Sequence, residues 1–194
     1  MSQEIEIEFK NLLTKDEYYK IKETFKIEEH DFFDQENHYF DTPEFSLKAI
    51  GAALRIRRKQ NKFVMTLKEP ATVGLLETHQ TLSDEMADSM MKTGELVNGE
   101  VVDRLLQLDL DVNKITYFGS LSTRRVEKNF QNGLIVLDHS RYLTVEDYEL
   151  EYEAKDEEIG KKVFHQLLHD LHIPIRLTKN KIRRFYEQKY SEMG

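Results

Sequence analysis

Two stretches of this chain, Gln3–Lys10 and Glu146–Ala154, alternate strictly between apolar and charged side chains. A period of two residues is typical of a β-strand, because successive side chains point to opposite faces of the sheet. The charged faces carry the carboxylates of Glu4, Glu6 and Glu8 in the first stretch and of Glu149, Glu151 and Glu153 in the second. The sequence therefore predicts two strands that each present a row of acids on one face.

Other segments repeat the strand pattern and bring the predicted total to about eight. Turn signals at Gln60-Asn61 and at Gln131-Asn132-Gly133 predict hairpins between neighbouring strands. The remaining predicted strands are His38–Phe40, Ala52–Lys59, Lys62–Lys68, Leu75–Leu82, Lys114–Phe130 and Leu134–Asp138. Eight antiparallel strands can close into a barrel that holds one small ligand. The predicted fold class is therefore α+β, an antiparallel eight-stranded β-barrel with flanking helices.

Helices are predicted where start signals precede apolar residues at helical spacing. Thr14-Lys15-Asp16-Glu17 reads as a capping box, and Ser83 is an N-cap candidate. The predicted helices run from Thr14 to about Lys26, and over Ser83–Lys92, Gly99–Leu108 and Asp156–Leu171. The basic tail, Arg176–Lys189, fits either a strand or a helix.

Length and composition restrict the class of protein. The 194 residues suit a single domain over residues 1–194. A net charge of −8 argues against binding to nucleic acid or to an anionic membrane, and the absence of cysteine excludes disulfides and thiolate chemistry. No leader or membrane-spanning pattern is visible. We therefore expect a cytoplasmic protein, monomeric or homodimeric, whose partner is a small molecule.

The signs of the charges are segregated by strand. Arg55, Arg57, Lys68 and Arg125 lie on strands between the two acidic ones, and the tail adds Lys181. A solvated sheet face gives the same alternation, but such a face usually intersperses both signs. Stacked carboxylates suit divalent ions such as Mg²⁺ or Mn²⁺, and guanidinium groups suit phosphate oxygens. This combination predicts a metal-dependent enzyme of phosphoryl transfer.

An ordered set of motifs resembles the CYTH family, the triphosphate tunnel metalloenzymes. The set begins with Glu6-Ile7-Glu8-Phe9-Lys10, which matches an E-x-E-x-K signature. It continues with Tyr39-Phe40-Asp41-Thr42, Leu54-Arg55-Ile56-Arg57, Thr66-Leu67-Lys68, Arg125, Asp138, Tyr148-Glu149-Leu150-Glu151 and Asn180-Lys181. The chain is most similar to the short single-domain members of Gram-positive bacteria. Family members include class IV adenylyl cyclases, thiamine triphosphatases and inorganic tripolyphosphatases.

The resemblance implies a role for each matching residue. Glu149 and Glu151 would be the principal metal ligands, with Asp138 beside them, and Glu6 and Glu8 would bind the metal or position the metal-bound triphosphate. Phosphate oxygens would be held by Lys10, Arg55, Arg57, Lys68, Arg125 and Lys181. Glu6, Glu8, Lys10 and Lys181 would be the catalytic residues.

The chain departs from the family pattern at two places. Asn180 stands where the family usually has serine, and either residue of the pair Arg124-Arg125 could match the family arginine. Strand parity favours Arg125, because it shares a face with Thr123 and Glu127.

Three functions are compatible with the sequence. The first is hydrolysis of a triphosphate, which can be inorganic tripolyphosphate, thiamine triphosphate or a nucleoside triphosphate. The second is an adenylyl cyclase that converts ATP into cyclic AMP and pyrophosphate, and the third is a polyphosphate- or nucleotide-binding module without catalysis. No residue pattern marks an adenine site, so hydrolysis is the leading hypothesis.

Overall fold

Eight antiparallel strands form the framework of the protein. The computed structural model describes Ser2 to Met193, the side chain of Met193 excepted. The strands are β1 (Gln3–Leu13), β2 (Phe33–Asp41), β3 (Ala53–Lys59), β4 (Lys62–Pro70), β5 (Leu75–Leu82), β6 (Thr116–Phe130), β7 (Gly133–Tyr142) and β8 (Val145–Ala154). Their order is β1-β5-β4-β3-β2-β6-β7-β8, and they close into a barrel. The predicted fold class is confirmed.

The described residues form six α-helices, most of which lie where the sequence predicts a helix. They are α1 (Lys15–Thr24), α2 (Ser46–Ala49), α3 (Asp84–Thr93), α4 (Glu100–Gln107), α5 (Glu157–Asp170) and α6 (Lys181–Met193). Thr14 and Glu17 form the predicted capping box, and Ser83 accepts a hydrogen bond from the backbone N–H of Met86. Asp156 caps α5 in the same way. These caps satisfy backbone donors that a helix start leaves free, so the sequence marks the starts well.

Two hairpins turn where the sequence predicted. Gln60 and Asn61 connect β3 to β4, and both have positive φ, 50° and 58°. Gln131 and Asn132 connect β6 to β7 with φ of 44° and 63°. Two consecutive left-handed residues produce the turn whose twist matches that of paired strands. Each turn therefore sets the register of its strand pair.

The structure differs from the sequence prediction in detail. The strand predicted over His38–Phe40 is longer and forms β2, and the short helix α2 was not predicted. The undecided tail contains α6, which begins at Lys181. The tail from Lys181 to Met193 is therefore helical.

The chain divides into two compact units, and the boundary falls within β1, β2 and β6. The first unit comprises the residues up to Glu6 together with Gln35–Ser120, and the second comprises Ile7–Asp34 and the chain from Leu121 onward. That the whole sequence is one domain stays a prediction. No helix between Ser2 and Met193 is long and apolar enough to cross a membrane.

Each unit has its own apolar core. In the first unit, side chains of β3 and β4 such as Ile56 and Met65 pack with Met90 of α3 and Leu105 of α4. In the second unit, Leu150 packs with residues of α1 and α5 such as Ile21 and Phe164. Burying one such side chain contributes about 1.5–3 kcal/mol to folding. Because the apolar side chains of β8 are used in this core, its glutamates must face the other way.

Replacing Gly160 with alanine is expected to destabilise the protein by roughly 1–3 kcal/mol, although alanine is the better helix former. A Cβ on Gly160 of α5 would lie 2.4 Å from Cβ of Ala154 and 2.9 Å from Cε2 of Phe9. Urea unfolding measures the change, and Lys161→Ala at the next, exposed position is the control. An unfolding midpoint equal to that of wild type would show that α5 does not pack tightly on the sheet.

Candidate functional site

The registers of three adjacent strands bring charged side chains together in the second unit. Arg125 of β6 pairs with Asp138 of β7, and Asp138 pairs with Glu149 of β8. Directly opposed residues of antiparallel strands point to the same face. Glu151 lies two residues beyond Glu149 and therefore shares that face. The hairpin turns that set the registers thus also assemble this cluster.

The three carboxylates of this cluster are removed from solvent. Asp138 and Glu149 have no exposed surface, and Glu151 is 5% exposed. One oxygen from each of the three lies within 4.8 Å of the others. Carboxylates this close repel one another, and burial increases the cost because little water screens them. The arrangement therefore requires cations.

Lysine and arginine side chains supply this positive charge. Nζ of Lys181 contacts all three carboxylates, Asp138 at 2.7 Å and Glu149 and Glu151 at still shorter range. Arg125 donates to both oxygens of Asp138, at 2.7 and 2.6 Å, and to Glu151 at 3.0 Å. The predicted phosphate ligands Arg125 and Lys181 are thus bound to the predicted metal ligands in this structure.

The buried charges shift the pKa values of Glu149 and Glu151 in opposite directions. Burial raises the pKa of Glu149 to about 7, and the nearby Lys181 only partly offsets this effect. Burial acts on Glu151 as well, but Lys181 and Arg125 outweigh it and hold the pKa of Glu151 well below its usual range. Burial disfavours the charged form of Lys181, but the three carboxylates prevail and hold its pKa well above the usual range.

Strand β1 adds Glu8 and Lys10 to the second unit. Lys10 is paired in register with Glu151, and its Nζ lies 2.5 Å from Oε1 of Glu8. Burial would lower the pKa of Lys10, but the charges of Glu8, Glu151 and Glu149 outweigh it and raise that pKa. Two residues of the E-x-E-x-K motif therefore belong to the charged cluster around Asp138.

Glu6, the first residue of that motif, lies in the first unit. Nζ of Lys68 is 2.5 Å from Glu6 and 2.5 Å from Glu77. Nε2 of His79 lies 3.2 Å from Glu77 and 3.1 Å from Glu4. The first unit thus has a charged cluster of its own around Lys68.

The two predicted arginines of β3 lie in the first unit. Nε of Arg57 donates to Asn37 at 2.9 Å. Nε of Arg55 is buried and has no hydrogen-bond partner, although the Arg55 charge helps to lower the pKa of Glu77, which burial would raise. A buried guanidinium N–H without a partner is costly, and an anionic ligand would satisfy it.

Sequence reasoning missed Arg184 and Asp147. Nη1 of Arg184 donates to Oε2 of Glu149 at 2.7 Å, and its Nε donates to Asp147 at 3.0 Å. Arg184 follows Lys181 by three residues, which places both on one face of a helix. That signal exists in the sequence, but it can be used only once the tail is known to be helical.

The carboxylates of the second unit fit a divalent metal ion. Three carboxylate oxygens within 4.8 Å of one another are hard ligands of the kind that such ions prefer. In a second group, Glu4, Glu77 and His79 of the first unit, one possible ligand atom of each residue also lies within 4.8 Å of the others. In that group Glu4 is exposed, whereas Asp138, Glu149 and Glu151 are all buried.

The fold and the buried charges together define the class: an antiparallel β-barrel protein that holds carboxylates next to lysine and arginine side chains. Residues 4–186 match the CYTH domain. The chain therefore belongs to the CYTH family, and this family implies a divalent metal and a small triphosphate substrate.

Relatives of known sequence or structure agree with this assignment. YjbK of Bacillus subtilis (strain 168), provisionally named a triphosphatase, is 58% identical over 189 residues, 97% of this chain and 98% of that protein. A crystal structure from Bacillus halodurans, provisionally named an adenylate cyclase, has 42% identity and a TM-score of 0.93, covering 96% of this chain and 100% of its own.

A more distant structure shares the fold. HpAC1 from Hippeastrum, provisionally named an adenylyl cyclase and described as having a dominant triphosphatase activity, has 20% identity and a TM-score of 0.79. The match covers 95% of this chain and 96% of that one.

The free energy of unfolding of a Glu149→Gln protein, taken relative to wild type in the absence of metal, should be higher at pH 8 than at pH 5. The folded state raises the pKa of Glu149 to about 7 and so binds its proton more tightly than the unfolded state does. The tighter proton binding stabilises the folded state. This stabilisation is complete below the ordinary carboxyl pKa and is lost as the pH rises through 7. Glutamine imitates the protonated acid at every pH, so the difference in unfolding free energy should grow by up to about 3 kcal/mol.

Urea unfolding in EDTA at several pH values measures this difference. Glu95→Gln, at an exposed position outside the charged cluster, is the control. A stability difference for Glu149→Gln that does not change with pH would contradict the raised pKa.

Proposed function

We propose that this protein hydrolyses a triphosphate with the help of a divalent metal ion, Mg²⁺ or Mn²⁺. The observation that carries the proposal is the buried cluster of Asp138, Glu149 and Glu151 with Lys181 and Arg125. A triphosphate and its metal ion bring together negative and positive charges in close proximity. Such a cluster can bind both, because it offers carboxylates to the metal ion and cations to the triphosphate.

The carboxylates are the proposed metal ligands. Asp138, Glu149 and Glu151 would hold the ion, and Glu6 and Glu8 would contribute as the motif resemblance implies. The metal, when bound, supplies a Lewis acid that polarises a phosphoryl oxygen and lowers the pKa of water. Burial matters here, because the low polarity around these side chains strengthens their attraction for the ion.

The cations are the proposed phosphate ligands. Lys10, Arg125 and Lys181 of the second unit are charged at neutral pH, since their carboxylate neighbours raise all three pKa values. Their hydrogen-bond donors fit phosphoryl oxygens, and Lys10 and Lys181 would stabilise the charge that develops as the bond to the leaving group breaks. Arg55, Arg57 and Lys68 of the first unit are proposed phosphate ligands on the basis of the motifs.

The names of the relatives support hydrolysis, and one of them suggests an adenylate cyclase as the second candidate function. YjbK, with 58% identity, carries the provisional name of a triphosphatase. The Bacillus halodurans protein, with 42% identity, carries that of an adenylate cyclase. Both reactions require the same metal and phosphate ligands, so the charged cluster alone does not separate them. The cytoplasmic location and the monomeric or homodimeric state stay predictions.

Product analysis separates the candidate reactions. The protein is incubated with Mg²⁺ or Mn²⁺ and offered tripolyphosphate, thiamine triphosphate or ATP. We expect orthophosphate from at least one of these substrates and no cyclic AMP from ATP. Cyclic AMP together with pyrophosphate would establish the cyclase instead. Ligand binding without any product would establish a binding module.

Glu149→Gln should lower the rate of triphosphate hydrolysis at saturating metal by about a hundredfold or more, equivalent to ~3 kcal/mol. The substitution removes the charge of a proposed metal ligand and conserves its shape. Phosphate release measures the effect, and Glu146→Gln, exposed on the same strand, should retain the wild-type rate. Full activity of a folded Glu149→Gln protein would remove Glu149 from the site.

A further inference from the structure

The side chain of Arg184 is almost completely buried next to a proposed metal ligand. It belongs to α6, follows Lys181 by one helical turn and is 9% exposed. Burying a guanidinium group is costly unless its donors are satisfied. The bonds that Arg184 makes therefore indicate why an arginine stands at this position.

Arg184 connects the metal-binding cluster to the end of the β7–β8 hairpin. Nη1 donates to Oε2 of Glu149 at 2.7 Å, and Nε and Nη2 donate to the two oxygens of Asp147 at 3.0 and 3.4 Å. The hydroxyl of Tyr142 donates to Asp147 at 2.8 Å. Asp147 is thus held by a second partner and in turn fixes the plane of the guanidinium group.

The two oxygens of Glu149 consequently have different environments. Arg184 holds Oε2, whereas Oε1 contacts Nζ of Lys181. The same Nζ contacts Asp138 and Glu151, so Oε1 is the oxygen that faces the other two carboxylates. Rotation of the Glu149 carboxylate would break its bond with Arg184.

We propose that Arg184 is a positioning residue that holds Glu149 so that Oε1 is directed toward the divalent metal, with Asp147 and Tyr142 holding Arg184. This inference rests on the proposed function, because it takes Glu149 to be a metal ligand. Partners that orient metal ligands typically change metal affinity or activity 10- to 100-fold when they are replaced. An arginine suits the role because its planar fork bonds Glu149 and Asp147 at once, which the single ammonium group of lysine does less well.

Apolar side chains also attach α6 to the second unit. Phe185 and Tyr186 are each 1% exposed, and Phe185 packs against Tyr142 with ring centroids 6.0 Å apart. These apolar contacts anchor the helix, whereas Arg184 bonds mainly to carboxylates. A change at Arg184 is therefore expected to act on Glu149 more than on the docking of α6.

Mn²⁺ binding in the absence of substrate tests the proposal. Free Mn²⁺ is measured by its electron paramagnetic resonance signal during titration of the full-length protein. We expect Arg184→Lys, which keeps the charge but loses the fork, to weaken Mn²⁺ binding about tenfold or more. The control is Arg183→Lys, because Arg183 is 58% exposed and pairs with Glu187 of its own helix. It should bind Mn²⁺ as wild type does.

Asp147→Asn is a second variant that tests how Arg184 holds the Glu149 carboxylate. Asp147 lies next to the ligands but acts on Glu149 through Arg184, so this change should also weaken Mn²⁺ binding. In the double variant with Arg184→Lys, the loss of Mn²⁺ affinity should be smaller than the sum of the two single losses, because both changes disturb the same chain of hydrogen bonds. Fully additive effects, or Mn²⁺ affinities of both variants equal to wild type, would overturn the proposal.

The experiment distinguishes this inference from the proposed function. A wild-type protein that binds Mn²⁺ but hydrolyses no triphosphate would refute the hydrolase, and the variants would still decide the role of Arg184. A wild-type protein that hydrolyses triphosphate, with Arg184→Lys binding Mn²⁺ normally, would refute the positioning role alone. Wild-type protein without Mn²⁺ binding would overturn the role of Arg184 as well.

Discussion

Burial of Asp138, Glu149 and Glu151 among cations is the constraint on which the second unit depends. Each ionised carboxylate loses its hydration, and contact with Lys181, Arg125 and the neighbouring arginine of α6 offsets that loss. Removing one partner from such a group typically costs about 3–5 kcal/mol. An apolar cluster of the same shape would be as stable or more so. The charges are therefore better explained by ligand binding than by folding stability.

The same ion pairs explain why the cluster can respond to ligands. Lys181 contacts the oxygens that a metal ion would need, and Arg125 binds two of the proposed ligands. Metal and phosphate together bring charges of both signs, so they can replace these internal pairs without leaving a charge uncompensated. Binding one of them alone would leave either carboxylates or cations less well paired. We therefore expect the metal ion and the triphosphate each to strengthen binding of the other.

The β-sheet holds the three buried carboxylates in fixed positions. Asp138, Glu149 and Glu151 stand on strands whose opposite faces carry Leu137 and Leu150 in the apolar core. Movement of a carboxylate would therefore disturb that packing as well. Lys181 and Arg184 come instead from a helix that follows an irregular segment of the chain. The three carboxylates are fixed by the sheet, and two of the cations depend on how that helix docks.

Local patterns in the sequence determined the strands, the capped helices and the hairpin turns, because each depends on neighbours within a few residues. The order of motifs also identified the CYTH family and its charged residues, and the comparisons confirmed the family. Tertiary structure alone decided which charges meet. Arg184 and Glu149 are 35 residues apart, and the tail fitted strand or helix equally well until its packing was known. Ion pairing between distant segments depends on strand register and helix docking, which no local pattern encodes.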